Sequence, residues 1–178
     1  MCKSAGVTLV ELLTTLTVLV VLATVAAPTF TSLRLDARRT TAVNGFVHSV
    51  FLARSESIKR GEIVTVCRSS DGQQCNPVAG DWSTGWIVFV NLDRDDPPLR
   101  DPAEPLIIGV AGPAGTRITS NRASYSFRPA TQGVVNGTLV VCDTRGSAHA
   151  RAVIISHTGR PRVAQRDSEG KPLRCAPG

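Results

Sequence analysis

The chain has 178 residues and a formal net charge of +6, with 20 lysines and arginines against 14 aspartates and glutamates. This length allows one membrane helix and one globular domain of about 100–120 residues, and it excludes a chain of several domains of the usual size. Aromatic residues make up only 4% of the sequence, so β-branched side chains must build most of the core.

The first predicted element is an apolar segment, residues 7–27, whose one charged residue is Glu11. It is long enough to cross a membrane, because the hydrocarbon core needs about 20 residues. Gly6 lies before the apolar core, whereas an ordinary secretory signal has its cleavage site after that core. Cleavage after Gly6 would remove residues 1–6 and leave Val7 as a new, positively charged N-terminus. A lone carboxylate in such a segment is costly, so we interpret Glu11 as a group that neutralises the terminal amine of a neighbouring subunit. The alternative is a plain membrane anchor that tolerates one Glu.

The sequence from Gly6 through Val7 to Glu11 resembles the class III signal of type IV pilins and of the pseudopilins of type II secretion. This resemblance implies that a prepilin peptidase cuts between Gly6 and Val7 and methylates the new N-terminus. It also implies that Glu11 guides assembly. The chain departs from the family pattern at Val7, where Phe or Met is more common.

Residues 28–60 are predicted to continue the helix as an amphipathic second half. Pro28 removes one backbone donor and should kink the helix. Lys59 and Arg60 in the last turn favour the negative end of the helix, and Gly61 is a plausible C-cap. Apolar residues at helical spacing predict a buried stripe. The stripe comprises Val43, Val47, Val50, Phe51, Arg54 and Ile58, widened by Phe46.

After Gly61 the pattern changes to period two and short β-branched runs. Asn136-Gly137 is a tight-turn signal between strands. The stretch from Leu92 to Pro105 is rich in Pro and Asp and is predicted to be a loop. Its alternating acids are spaced as in a calcium loop, but the required Gly is missing, which favours a solvated acidic loop. Strands are predicted at 62–67, 85–91, 105–110, 116–120, 123–128, 137–142 and 151–156.

Of the five cysteines, Cys2 would leave with the leader. An even number of cysteines outside the cytoplasm suggests two disulfides, and four cysteines allow three connectivities. The favoured pairing is Cys67–Cys75, which are close in sequence around a turn-rich stretch, and Cys142–Cys175, which would staple the C-terminal tail to a strand. A zinc site is disfavoured because the CxxC spacing is absent.

Three further stretches of the sequence resemble one particular family within this larger group. They are residues 52–60 (LARSESIKR), the strand that ends in Cys67, and Gly85-Trp86-Ile87-Val88-Phe89. Together they resemble the GspH/FimT family of minor pilins and pseudopilins along most of the chain. The resemblance implies a pilin-like α+β fold, with a long N-terminal helix packed on antiparallel β-sheets. It also implies a single-pass precursor in the bacterial inner membrane, with residues 61–178 forming a globular periplasmic domain. The subunit would then assemble with other minor pilins and the major pilin into a pilus at the cell surface.

Charge is unevenly distributed along the chain. Residues 1–116 carry 10 basic and 11 acidic residues, whereas residues 117–178 carry 10 basic and 3 acidic residues. The two parts therefore have net charges of −1 and +7, which together make the +6 of the whole chain. Such an asymmetry suggests an anionic partner for one face of the domain.

The basic part contains Gly159-Arg160-Pro161-Arg162, which follows the strand predicted at 151–156. A turn at Gly159 would hold two guanidiniums on an exposed loop, and guanidinium suits bidentate contact with phosphate. The stretch resembles the Gly-Arg-any-Arg motif of DNA-binding FimT proteins, which implies that Gly159, Arg160 and Arg162 bind double-stranded DNA. The alternative is a solvent-exposed hairpin turn with no binding role. Charge alone adds weaker candidates: Arg151, Arg166, Lys171 and Arg174.

The sequence therefore predicts a minor type IV pilin that binds extracellular duplex DNA and supports natural transformation. The first alternative is a GspH-like pseudopilin of type II secretion with a purely structural role. The second is an adhesin for acidic surface polymers. Neither a Ser-His-Asp order nor a nucleophile elbow is present, so there is no case for an enzyme, and no cofactor or metal is expected.

Overall fold

The computed structural model describes residues 6–76, 81–129 and 136–175, and for Val25 it describes the backbone alone. Most of the predicted leader, including Cys2, and Pro77 of the turn-rich stretch lie outside these residues. The chain forms two compact units, Met1–Ala37 and Arg38–Gly178. All of the buried core residues belong to the second unit.

The N-terminal helix, α1, runs from Leu9 to Arg60 and includes Pro28. This confirms the predicted long helix, which starts two residues later than expected. The kink at Pro28 stays a prediction. The helix starts at Leu9 because the hydroxyl of Thr8 accepts a hydrogen bond from the backbone N–H of Glu11 at 3.2 Å, as an N-cap does. It ends where the N–H of Gly61 donates to the carbonyl of Ser57 at 3.0 Å. α1 is long and apolar enough to cross a membrane, by length and composition.

The described part of the second unit contains two four-stranded antiparallel sheets. The first sheet has the order β3-β2-β1-β5 and the second has the order β4-β6-β7-β8. A short 3₁₀ helix, Ser147–His149, precedes β7. The strands are β1 Ile63–Arg68, β2 Gly85–Asn91, β3 Leu106–Ala111, β4 Arg117–Ser120, β5 Ser124–Phe127, β6 Gly137–Cys142, β7 Arg151–Ile155 and β8 Pro161–Ala164.

All seven predicted strands are present, and the eighth, β8, is a strand that the sequence did not predict. The expectation of a tight turn between strands at Asn136-Gly137 is wrong, because β5 and β6 belong to different sheets. Gly137 is instead the first residue of β6. A Cβ atom there would lie 2.8 Å from Cγ of Arg122 and 2.9 Å from a ring carbon of Tyr125, so close packing explains the glycine.

The core lies between the second half of α1 and both sheets. Phe46 is fully buried at its centre and makes edge-to-face contacts with Trp82, Trp86 and Tyr125 at centroid distances of 5.6–5.7 Å. The predicted stripe was therefore wrong in part. Phe51 is 53% exposed and Ile58 is 63% exposed. The face that the sheets cover is centred on Phe46 and Val50 instead.

Both disulfides of the favoured pairing are present, Cys67–Cys75 and Cys142–Cys175. The second joins the end of β6 to the C-terminal tail and adds to a small cluster with Leu173 and Ile154 on the outer face of the second sheet. The tail is therefore held against the sheet by one covalent bond and by the burial of Leu173, which is 4% exposed.

Replacing Cys142 and Cys175 with serine should detach the C-terminal tail, while the two sheets stay folded. We expect a loss of about 2 kcal/mol in the free energy of unfolding, at the low end for a native disulfide, because the tail can detach while the sheets stay folded. Limited trypsin digestion should show faster cleavage after Arg166 and Arg174. The Cys67→Ser/Cys75→Ser variant is the control, and an equal rate of tail cleavage in both variants would contradict this expectation.

A buried carboxylate joins α1 to the turn after β6. The Asp143 side chain has no exposed area, and its Oδ2 lies 2.6 Å from Nη2 of Arg145 and 3.8 Å from Nη1 of Arg39. Arg39 also donates a hydrogen bond to the carbonyl of His149. The hydrogen bonds from Arg145, helped by the charges of Arg145 and Arg39, hold the pKa of Asp143 below its ordinary value.

A lowered pKa means that Asp143 stabilises the fold above the pKa it has in the unfolded chain. This contribution is lost as the pH falls through the lower pKa of the folded state. We expect Asp143→Asn to lower the free energy of unfolding at pH 7 by about 1–2 kcal/mol, since Arg39 and Arg145 lose their interaction with the charge of Asp143. Urea unfolding at pH 7 and pH 3 should show a smaller difference between the variant and the wild type at pH 3. An equal difference at both pH values would contradict the role of the charge.

Candidate nucleic-acid interface

The predicted Gly-Arg-Pro-Arg stretch forms the turn between β7 and β8. The N–H of Gly159 donates to the carbonyl of Ser156 at 2.8 Å, and the N–H of Ser156 donates to the carbonyl of Arg160 at 3.2 Å. Gly159 has a φ of 74°, in the left-handed region that favours glycine. The glycine in this stretch is therefore required by the backbone of the turn.

Arg160 and Arg162 leave this turn as alternate residues of one extended segment. Arg162 pairs with Ile154, and the backbone bond between Ser156 and Arg160 continues the ladder beyond Pro161. Alternate residues of a strand point to the same side, with Cα atoms about 7 Å apart. Pro161, without an N–H, suits an edge strand. The segment therefore presents both guanidiniums from one side of the sheet edge.

Both arginine side chains are exposed. Within residues 6–76, 81–129 and 136–175, the structure shows no ion pair for the guanidinium of Arg160 or of Arg162. Their charges are thus left for an external anion, and a phosphate could accept two hydrogen bonds from each guanidinium.

The structure places the weaker candidates at the opposite end of the second sheet. Arg151 is the first residue of β7, about 14 Å along the strand from Ile155. Its guanidinium donates to the carbonyl of Ala150 at 2.9 Å. Arg166 lies beyond the far end of β8 and donates to the carbonyl of Gly170 at 2.9 Å.

The tail residues are similarly distant from the turn. The ammonium of Lys171 forms an ion pair with Glu169. Arg174 is exposed, but it precedes Cys175, which is bonded to Cys142 at the far end of β6. Among the predicted DNA-binding residues, the structure therefore brings together Gly159, Arg160 and Arg162.

One basic residue that the sequence did not single out lies at the same end of the second sheet as the turn. Arg122 follows β4, and its Nε donates to the carbonyl of Asn136 at 3.0 Å. The N–H of Asn121 donates to the carbonyl of Thr138 at 3.3 Å, which places Arg122 opposite Gly137. No local signal could have indicated this, because the position depends on the register between β4 and β6.

The residues of the predicted processing and assembly site lie at the start of α1. Gly6 and Val7 are exposed and precede the helix, and Val7 is 70% exposed. Glu11 is exposed in the first helical turn. Its backbone N–H donates to the Thr8 cap, and in the part of the chain that the structure describes its carboxylate forms no ion pair.

Comparison with known proteins shows a match to a protein family and a similarity to solved structures. The family model described as type II transport protein GspH matches residues 42–159. Two crystal forms of the type IV minor pilin FimU from Pseudomonas aeruginosa are similar in structure, each with a TM-score of 0.55 and 18% sequence identity. The P65 form covers 76% of this chain and 98% of FimU, and the P21 form covers 79% and 96%. No curated protein matches the sequence.

Proposed function

Because the chain belongs to the family of type II transport protein GspH, we propose that it is a minor type IV pilin that binds duplex DNA at the cell surface. Arg160 and Arg162 on the turn after β7 would hold the DNA. The proposed biological role is to support DNA uptake in natural transformation.

The observation that carries this proposal is the pair of exposed guanidiniums at the edge of the second sheet. No carboxylate of the described residues neutralises them, and they lie in the part of the chain with a net charge of +7. Phosphate contacts of this kind position a protein on DNA without reading its sequence. Binding should therefore be non-specific, with a dissociation constant of roughly 10⁻⁴–10⁻⁶ M at physiological salt.

The N-terminal helix supports the assembly part of the proposal. A prepilin peptidase would cut between Gly6 and Val7 and methylate the new N-terminus, in a segment that the structure leaves exposed. The apolar part of α1 would anchor the precursor in the inner membrane and later pack among the helices of other minor pilins and the major pilin. The carboxylate of Glu11 would pair with the terminal amine of a neighbouring subunit, because an unpaired charge in an apolar bundle is costly.

The direct test is duplex DNA binding by the full chain in a non-ionic detergent, at 50 mM and 200 mM salt. Each phosphate contact should contribute about −0.9 to the slope of log K against log salt. The two arginines of the turn alone predict a slope near −1.8. A folded wild-type chain that does not bind DNA at 50 mM salt would overturn the proposal.

The second candidate function is that of a minor pseudopilin of type II secretion with a structural role. The match to the family of type II transport protein GspH favours it. In that case the basic turn would contact a neighbouring subunit or a secreted protein, and the chain would not bind DNA.

A further inference from the structure

A polar groove of about 250 Å³ runs beside β5, the edge strand of the first sheet. Along β5, Tyr125 and Phe127 are buried in the core. The alternate residues Ser124 and Ser126 line the groove instead, and Arg128 continues this row. One side of the groove therefore carries two hydroxyls and a guanidinium, and the hydroxyl of Ser126 is already hydrogen-bonded to that of Thr65 at 2.9 Å.

A second arginine, Arg122, lines the other end of the groove. Arg122 lies two residues before β5 and Arg128 directly follows it, so the two arginines flank a strand about 10 Å long. The bond from Nε of Arg122 to the carbonyl of Asn136 fixes the direction of that side chain. The groove thus has one arginine before and one after the strand that lines it.

The facing wall is formed by the loop after β2. Its acid Asp95 is already engaged, because Oδ1 accepts from Nδ2 of Asn91 at 3.0 Å and Oδ2 accepts from the N–H of Leu99 at 2.7 Å. Arg94 lies 3.8 Å from Glu62. Asp96 is exposed and lines the groove. Because Arg94 is paired with Glu62, the lining leaves Arg122 and Arg128 beside β5 against two aspartates on the facing wall, and an anion would bind at the side of β5.

The end of the groove at Arg122 lies at the same end of the second sheet as the Gly159–Arg162 turn. Arg122 lies opposite Gly137, Gly137 pairs with Ile155, and Ile155 pairs with Pro161. Three spacings between neighbouring strands amount to about 14 Å. One strand of DNA carries a phosphate for about every 3.4 Å of helix rise, so this distance corresponds to about four nucleotides.

We propose that the β5 groove is a second phosphate-binding segment of the DNA interface, in which Arg122 and Arg128 contact phosphates and the Ser124 hydroxyl donates between them. This inference rests on the proposed function. The DNA duplex would then contact the turn at the edge of the second sheet and also β5 at the edge of the first sheet. The salt dependence of the wild type should then reflect about four contacts, with a slope near −3.6.

The test is DNA binding by the full-length variant Arg122→Gln/Arg128→Gln in a non-ionic detergent. We expect roughly tenfold weaker binding at 100 mM salt and a change in slope to about −1.8, because two phosphate contacts are lost. The single variant Arg128→Gln spares the bond to Asn136 and should reduce the slope by about 0.9. Asp96→Asn should strengthen binding about twofold, since it removes a negative charge from the groove.

The matched control is Arg38→Gln/Arg151→Gln, which removes two positive charges at the other end of the second sheet. Arg38 lies beside Gly115, before β4, and Arg151 begins β7. If the wild type binds DNA and the groove variants weaken it no more than this control, the groove inference is overturned while the proposed function stands. Failure of the wild type to bind DNA would instead overturn the proposed function itself.

Discussion

Replacing Arg160 and Arg162 with alanine is expected to weaken duplex DNA binding by roughly 10- to 100-fold at 100 mM salt. The slope of log K against log salt should become less steep by about 1.8, because two phosphate contacts are lost. Fluorescence anisotropy of a labelled duplex, measured across a salt series, gives both quantities. The thermal unfolding of the variant should match that of the wild type, since both side chains are exposed.

The matched control for this result is Arg166→Ala/Arg174→Ala. It removes the same number of charges from the same basic part of the chain, but at the far end of the second sheet. We expect at most a threefold loss of affinity, because residues distant from the contact act only through screened long-range attraction. Equal losses in the two variants would mean that total charge, and not the turn, determines binding.

A second variant of the turn separates charge from geometry. Arg160→Lys/Arg162→Lys keeps both positive charges but removes the planar, bidentate donors. The salt slope should stay close to that of the wild type while the affinity falls several-fold. A wild-type affinity in this variant would show that the guanidinium geometry is not used.

Replacing Phe46 with alanine is expected to lower the free energy of unfolding by about 3–5 kcal/mol, the usual cost of removing a fully buried Phe. Phe46 has no exposed area and fills the centre of the core between α1 and the two sheets. Its ring lies at centroid distances of 5.6–5.7 Å from Trp82, Trp86 and Tyr125. The edge-to-face contacts would be lost along with the buried area.

The control is Phe51→Ala, a change of the same size in the same helix. Phe51 is 53% exposed, so we expect a loss below about 1 kcal/mol. Urea unfolding followed by tryptophan fluorescence suits both variants, because the chain has two tryptophans and both are buried beside Phe46. Equal losses in the two variants would contradict the placement of Phe46 in the core and of Phe51 at the surface.

The local elements could be predicted because their signals are local. The apolar run before Pro28, the Gly61 cap and the change to period two indicated where α1 ends and the strands begin. β8 was missed because Pro161 and Arg162 are poor strand formers, and the alternation of buried and exposed residues is weak in an exposed edge strand. The two disulfides could be favoured from sequence spacing, although spacing alone left three connectivities open.

The buried face of α1 could be predicted only in part. A helical stripe shows which residues share a side of the helix, but several neighbouring stripes were compatible with the sequence. The two sheets decide between them, because they cover the side centred on Phe46 and leave Phe51 and Ile58 exposed.

The sequence by itself indicated the family through the resemblance of its motifs. It also determined the long helix, nearly all the strands and the charge asymmetry, because each of these depends on neighbouring residues or on composition. Only the tertiary structure decided which basic residues share a location. The register of the second sheet places Arg151 at the end away from Arg160 and Arg162, and it places Arg122 at their end, although Arg151 is closer to them in sequence. Strand pairing joins residues that are far apart in the chain, so no local pattern can show which charges will meet.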